Sequence, residues 1–452
     1  MIRVRRIRKT TMIRYPYKEI RRSSHASTTT ANTEDTSMLI PTPLKFTNRQ
    51  LRLQYSSIGS DFIRLASYRR FKELLRDESG ALIKAAVHDL SAFLRKELPK
   101  KDSILHCEMK KSLTNESSRL ELMIPLGSGT KTSESIREWL YAAFGFLTEE
   151  CSEEEANKIV DNIIEIYINE RNSNINTLFN RNVVLSERDE FTMRAFNEYI
   201  EKVKVRDDLL YESDSRYISF REVFDQKIYL PDLPKIHDRE LLVKGLMHKE
   251  FYRMMLNPEH QFAQTMTTGG YDLDFRNYGI VRKELSVLDG LGDFYLSLEA
   301  SRITYLLCRS NGRQVTQNAY RSLKIILGTN TLMSKLTKAY NLHIGLGDPI
   351  IMNQLKTEWV PYTMTGKMPD YQSLDETRIY EEEFMADFFE IYAGALLKEQ
   401  PEVAKKFIHE IFYEILKVIS ESLPPDIPYG IWSSMIIGRE IRGRGFRESD
   451  IE

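Results

Sequence analysis

Apolar residues recur at three- and four-residue steps along most of this chain, the pattern of amphipathic helices. Phe62, Leu65, Tyr68, Phe71 and Leu74 predict one helix. Leu82, Ala85, Val87, Leu90, Phe93 and Leu94 predict the next, which Pro99 ends. Arg69, Arg70, Lys72 and Arg76 give the first helix a basic, solvated side. Helices resume between Ser135 and Asn172, where Ser152 and Glu155 are spaced as a capping box. Residues 187–212 read as another, charged helix. Residues 34–60 lack strong periodicity and read as a linker, and 102–132 read as a loop. The Gly127 and Gly129 fragment lacks the ending of a phosphate loop. Pro231 and Pro234 punctuate the chain, and a domain boundary is placed there. A long Gly-containing loop is expected over 257–280.

The strongest pattern runs from Leu285 to Leu306. Leu288, Leu291, Tyr295 and Leu298 form one helical face. A second strongly apolar helix is predicted from Phe384 to Leu396. The chain therefore reads as all-α. A mainly helical amino-terminal domain, 61–230, precedes a second helical domain, 235–423, and a tail, 424–452.

Charge changes the picture at the start of the chain. Residues 1–22 carry nine Lys and Arg against the single acid Glu19, and Ser and Thr follow. An Arg-rich, Ser-rich, acid-poor start predicts a mitochondrial presequence within 1–33 and a matrix location. The whole chain has a net charge of -1, so the remainder after residue 22 carries -9. An acidic body is no generic polyanion binder, and any RNA contact must come from local basic patches. Cys107, Cys151 and Cys308 form neither a disulfide framework nor a zinc pattern. No apolar run reaches membrane-span length, so no membrane partner is expected.

Four acids stand on the two apolar helices. Asp289 and Asp293 lie one turn apart on the first; Asp387 and Glu390 lie one turn apart on the second. Such pairs read either as solvated faces or as a cation site. Acids in an apolar background are rarely buried unless paired or metal-bound.

The residues around these acids resemble the ribonuclease III family. Leu285-Ser286-Val287-Leu288-Asp289-Gly290-Leu291-Gly292-Asp293 is similar to its signature N-E-R-L-E-F-L-G-D. Met385-Ala386-Asp387-Phe388-Phe389-Glu390 with Gly394-Ala395 is similar to its later L-A-D-x-x-E-A-x-x-G-A motif. Leu241 to Lys249 resembles the opening L-L-x-x-A-L-T-H-x-S, and Leu323 to Leu342 resembles the central helices. The order and spacing agree over about residues 235–420. Within the family, the proteins most similar are the mitochondrial RNase III-like proteins of the large ribosomal subunit.

The resemblance implies an RNase III-type helical domain with Asp289, Asp293, Asp387 and Glu390 as ligands of Mg²⁺ or Mn²⁺. Asp293 and Glu390 would be the catalytic pair for metal-assisted phosphodiester hydrolysis. It also implies a homodimer, or a heterodimer with another RNase III-fold protein, formed through Tyr295, Leu298 and Ile303. The signature is eroded, however. Asp289 replaces a glutamate, so its oxygens retreat by roughly an ångström at a metal that demands distances of about 2.0–2.1 Å. Leu285, Ser286 and Val287 replace N-E-R, and Gly290 replaces Phe. Residues 424–452 fall short of a double-stranded-RNA-binding domain, though Arg439, Arg442, Arg444 and Arg447 make them basic. The expected function is a mitochondrial RNase III-fold protein bound to structured or ribosomal RNA, part of the large ribosomal subunit with a weakened site. The other reading is an active Mg²⁺-dependent endoribonuclease acting on double-stranded RNA.

Overall fold

In a computed structural model, the described residues are 48–75, 79–100, 102–112, 133–170, 185–212, 216–220, 224–274, 278–310, 317–357 and 374–422. The expected presequence, residues 34–47 of the linker and the whole of the tail lie outside them. Every described residue belongs to one compact unit, 43–452.

The described chain is mostly helical. Its helices in order are α1 (Asn48–Leu74), α2 (Gly80–Glu97), α3 (Ile104–Ser112), α4 (Ser133–Glu150), α5 (Glu153–Glu170), α6 (Glu187–Lys202) and α7 (Asp207–Tyr211). A hairpin of β1 (Tyr217–Phe220) and β2 (Phe224–Tyr229) follows. Then come α8 (Arg239–Gly245), α9 (Tyr252–Met255), α10 (Gln261–Thr268), α11 (Gly279–Ser310), α12 (Gln317–Leu327) and α13 (Asn330–Ala339). The last are α14 (Pro349–Thr357), α15 (Leu374–Glu399) and α16 (Pro401–Glu421).

Helix α11 is the axis of the unit. It packs against α1, α2, α12, α15 and α16. A helix enclosed on this many sides is apolar over more than one stripe. Leu285, Leu288, Leu291, Tyr295, Leu298 and Ile303 are all buried. Helix α15 lies beside it and also contacts α8, α13 and α16.

Several expectations change. Residues 48–60 are not linker but the first half of α1. Leu51, Tyr55, Ile58 and Phe62 continue its apolar spacing through intervening serines, and Tyr55 and Ile58 are buried. The turn at Pro231 and Pro234 does not divide two compact domains, because α1 and α2 bury their apolar faces on α11. The expected charged helix over 187–212 breaks after Lys202 and resumes as the short α7. The expected loop over 257–280 contains α10, capped by the side chain of His260. His260 Nε2 sits 2.8 Å from Asp348 Oδ2, which ties α10 to the start of α14. Part of the loop expected at 102–132 is α3. The hairpin was absent from the helical reading; it pairs Ile218 with Ile228, both buried. Ser152 Oγ accepts the Glu155 N–H at 3.2 Å, half of the expected capping box.

Candidate carboxylate site

Two close helix crossings assemble the site. A Cβ on Gly292 of α11 would stand 1.8 Å from the Glu390 carbonyl of α15, and one on Gly394 would stand 2.2 Å from the Leu288 carbonyl. Only glycine at both positions lets the two backbones touch. The contact brings the acid pairs together. One carboxylate oxygen from each of Asp289, Asp387 and Glu390 lies within 4.8 Å of the others. Asp293, the fourth expected ligand, is outside this group and about half exposed.

Two lysines are already inside the cluster. Lys84, from α2, places its Nζ 3.2 Å from Asp289 Oδ2 and 3.0 Å from Asp293 Oδ2. Lys249, from the turn between α8 and α9, places its Nζ 3.2 Å from Asp289 Oδ1 and 2.7 Å from Asp387 Oδ2. Both oxygens of Asp289 therefore face an ammonium group. Asp289 is 4% exposed, so its end of each pair is shielded, while both lysines remain about a quarter exposed.

His248 completes the arrangement. It lies just after α8 and is buried. Its Nδ1 accepts the Glu250 N–H at 3.0 Å. Its Nε2 lies 2.9 Å from Asp387 Oδ2. The ring stacks on Phe384 with centroids 3.9 Å apart.

The electrostatics follow from this placement. Burial lowers the proton affinity of Lys84, but Asp289, Asp293 and Glu390 outweigh it and hold the ammonium above its usual range. Lys249 is likewise disfavoured by burial and raised by Asp387 and Asp289. Burial would raise Asp387, yet Lys249 and His248 hold it below the usual carboxylate range. Glu390 goes the other way. Burial pushes it well above its usual value, and Asp293, Asp289 and Asp387 push further. Lys84 offsets this only in part, and Glu390, which makes no salt bridge among the described residues, favours its protonated form.

The oxygens of Asp289, Asp387 and Glu390 lie close enough together to suit a hard divalent cation, and two lysines already stand among them. A metal at about 2.0–2.1 Å from Asp289 would meet ammonium groups already at its oxygens. Lys84 and Lys249 offset part of the cluster's negative charge.

The eroded signature residues are the ones that hold this lysine-bearing cover in place. Ser286 Oγ accepts the Gly80 N–H at 3.0 Å, which fixes the start of α2 and with it Lys84 one turn later. A Cβ on Gly290 would stand 2.4 Å from the Tyr68 hydroxyl of α1, and that hydroxyl donates to the Val287 carbonyl at 3.0 Å. Gly290 thus admits the buried Tyr68 ring, rather than merely loosening the helix.

The expected dimer surface is corrected by the same cover. Tyr295, Leu298 and Ile303 are 3%, 1% and 0% exposed within this chain. Further along α11, Tyr305 and Tyr55 of α1 meet hydroxyl to hydroxyl at 2.7 Å, and Ser301 donates to Asp61 of α1. The face that the resemblance assigns to a second copy is covered from within.

The sequence reading missed Lys84 and Lys249 as members of the site. Lys249 stands next to His248 in the opening motif, a signal that was available. Lys84 carries no local signal, since it sits on the polar side of an ordinary amphipathic helix. No family model matches the chain, and no curated protein or solved structure matches it either.

Proposed function

We propose that this chain is an RNase III-like protein whose acid cluster is partly neutralised by its own lysines, and that it serves as a non-catalytic, RNA-associated component of the large mitochondrial ribosomal subunit. One observation carries the non-catalytic part: Lys84 and Lys249 engage Asp289, Asp293 and Asp387 where the resemblance expects Mg²⁺. The RNA partner and the mitochondrial setting are carried over from the motifs and the basic start of the sequence.

A second reading is favoured by the convergence of Asp289, Asp387 and Glu390 within 4.8 Å. It is a metal-dependent endoribonuclease in which the two lysines leave when Mg²⁺ arrives. Two measurements separate the readings. Sedimentation of a mitochondrial lysate should carry the protein with the large ribosomal subunit, and Asp387→Ala and Glu390→Ala should not release it. Purified protein with Mg²⁺ or Mn²⁺ should leave double-stranded RNA intact. Robust metal-dependent cleavage, lost in Glu390→Ala, would promote the nuclease.

A further inference from the structure

A cleft of about 570 Å³ opens between α1, α2, α4 and α12. It shares no residue with the carboxylate site. Among the described residues its cations are Arg64, Arg95, Arg137, Arg321 and Lys324, and its acids are Asp61 and Glu138. In a chain whose body is net acidic, an excess of three positive charges around one cavity is a local departure.

Both acids are already committed. Asp61 Oδ2 accepts from Ser301 Oγ and from Lys324 Nζ, each at 2.5 Å, and its Oδ1 lies 3.6 Å from Arg64. Glu138 accepts from Arg52, outside the cleft, at 2.7 Å. Arg95 and Arg321 make no salt bridge among the described residues. The Ser56 and Ser60 hydroxyls on the same wall make no side-chain hydrogen bond among them either. Tyr141 stands within the electrostatic reach of Arg137, Arg64 and Arg95, although burial raises its hydroxyl overall.

Guanidinium forks and hydroxyl donors around a cationic surplus match the oxygens of a phosphate, which accept bidentate hydrogen bonds. The volume exceeds one phosphate ion. The Tyr141 ring and the exposed Ile325 side chain add an apolar wall on which a base can rest. We propose that this cleft binds a nucleotide through its phosphate, either a free nucleotide or one residue of an RNA strand.

The test uses the full chain. Calorimetry with adenosine diphosphate probes the free nucleotide, and fluorescence anisotropy with a 5′-fluorescein single-stranded oligoribonucleotide probes the strand. The variant is Arg95→Glu with Arg321→Glu. Both side chains are exposed, so the fold should survive, which circular dichroism checks. Lys405→Glu with Lys406→Glu, exposed on α16, is the control. The basic start of the chain is present in every protein, so the difference between variants reports the cleft. Loss of charged hydrogen bonds should weaken binding about tenfold or more in the cleft variant, with the control unchanged. Binding of the diphosphate identifies a free nucleotide; binding of the oligonucleotide alone identifies a strand. Either result with that variant pattern supports the site. The proposal is overturned if neither probe binds, if the cleft variant binds like wild type, or if the control weakens equally. None of these outcomes bears on cleavage or on sedimentation with the ribosome.

Discussion

Lys84 Nζ reaches Asp289 Oδ2 at 3.2 Å across a sequence separation of 205 residues. The lysine belongs to an amino-terminal helix with no chemical motif, and the aspartate to the signature helix. That contact makes the amino-terminal segment part of the site. It also supplies a positive charge where the family resemblance calls for a metal.

The first prediction removes the lysine. Lys84→Met leaves Asp289 buried with one cation instead of two, and should cost about 2 kcal/mol. Mg²⁺ should then compensate. Wild-type stability in urea should be indifferent to millimolar Mg²⁺, whereas Lys84→Met should gain, by about 2.7 kcal/mol at a hundredfold excess over Kd. Stabilisation of the wild type, with no gain in the variant, would count against a lysine-filled site.

Glu390 gives a pH dependence. Its folded carboxyl binds the proton more tightly than the unfolded one. The stability this provides is complete below the unfolded pKa of about 4.3 and is lost as pH rises through the folded value. Asp387 is held low, so its contribution is present above about 3.9 and is lost as pH falls through its folded value. Glu390→Gln mimics the protonated acid. Melting temperature measured against pH should rise relative to wild type near neutrality and converge with it near pH 4. A variant less stable than wild type at pH 8 would show that Glu390 is needed in its charged form.

The helix crossing should tolerate no methyl group. In Gly292→Ala the added carbon meets a backbone carbonyl, which cannot rotate away. The helices must separate, at a cost of roughly 3 kcal/mol or more in denaturant unfolding. A loss under 1 kcal/mol would mean that α11 and α15 do not cross this closely.

The eroded position can be restored and then relieved. Gly290→Phe should clash with Tyr68 and destabilise the protein. Tyr68→Ala alone should also destabilise it by about 3–5 kcal/mol, by emptying a buried site. Together they should cost less than the sum, with a coupling of about 1–3 kcal/mol in a double-mutant cycle. Additive losses would leave the Gly290 substitution without this explanation.

The covered face makes a concentration-independent prediction. Leu298→Ala should cost about 2–5 kcal/mol as a core cavity, equally in dilute and concentrated samples. A melting temperature that rises with protein concentration, in wild type but not in the variant, would restore Leu298 to an interface between chains.

The helical class was legible in the sequence because a three-to-four periodicity is written locally, residue by residue. So were the two apolar helices and their four acids, since one-turn spacing sets which side chains share a face. Gly292 and Gly394 stood in the motifs, but their role depends on a neighbouring backbone that no local pattern names. Lys84 was illegible for the same reason. Its own helix describes it as a solvated lysine, and only the packing of α2 on Ser286 carries it to Asp289. Serines hid the first half of α1, whose burial is decided by α4 and α11 rather than by its own contrast. Tyr295, Leu298 and Ile303 were legible as an apolar stripe. Whether a second chain or this one covers that stripe depends on where distant helices close, and the closure of α1 over α11 decided it.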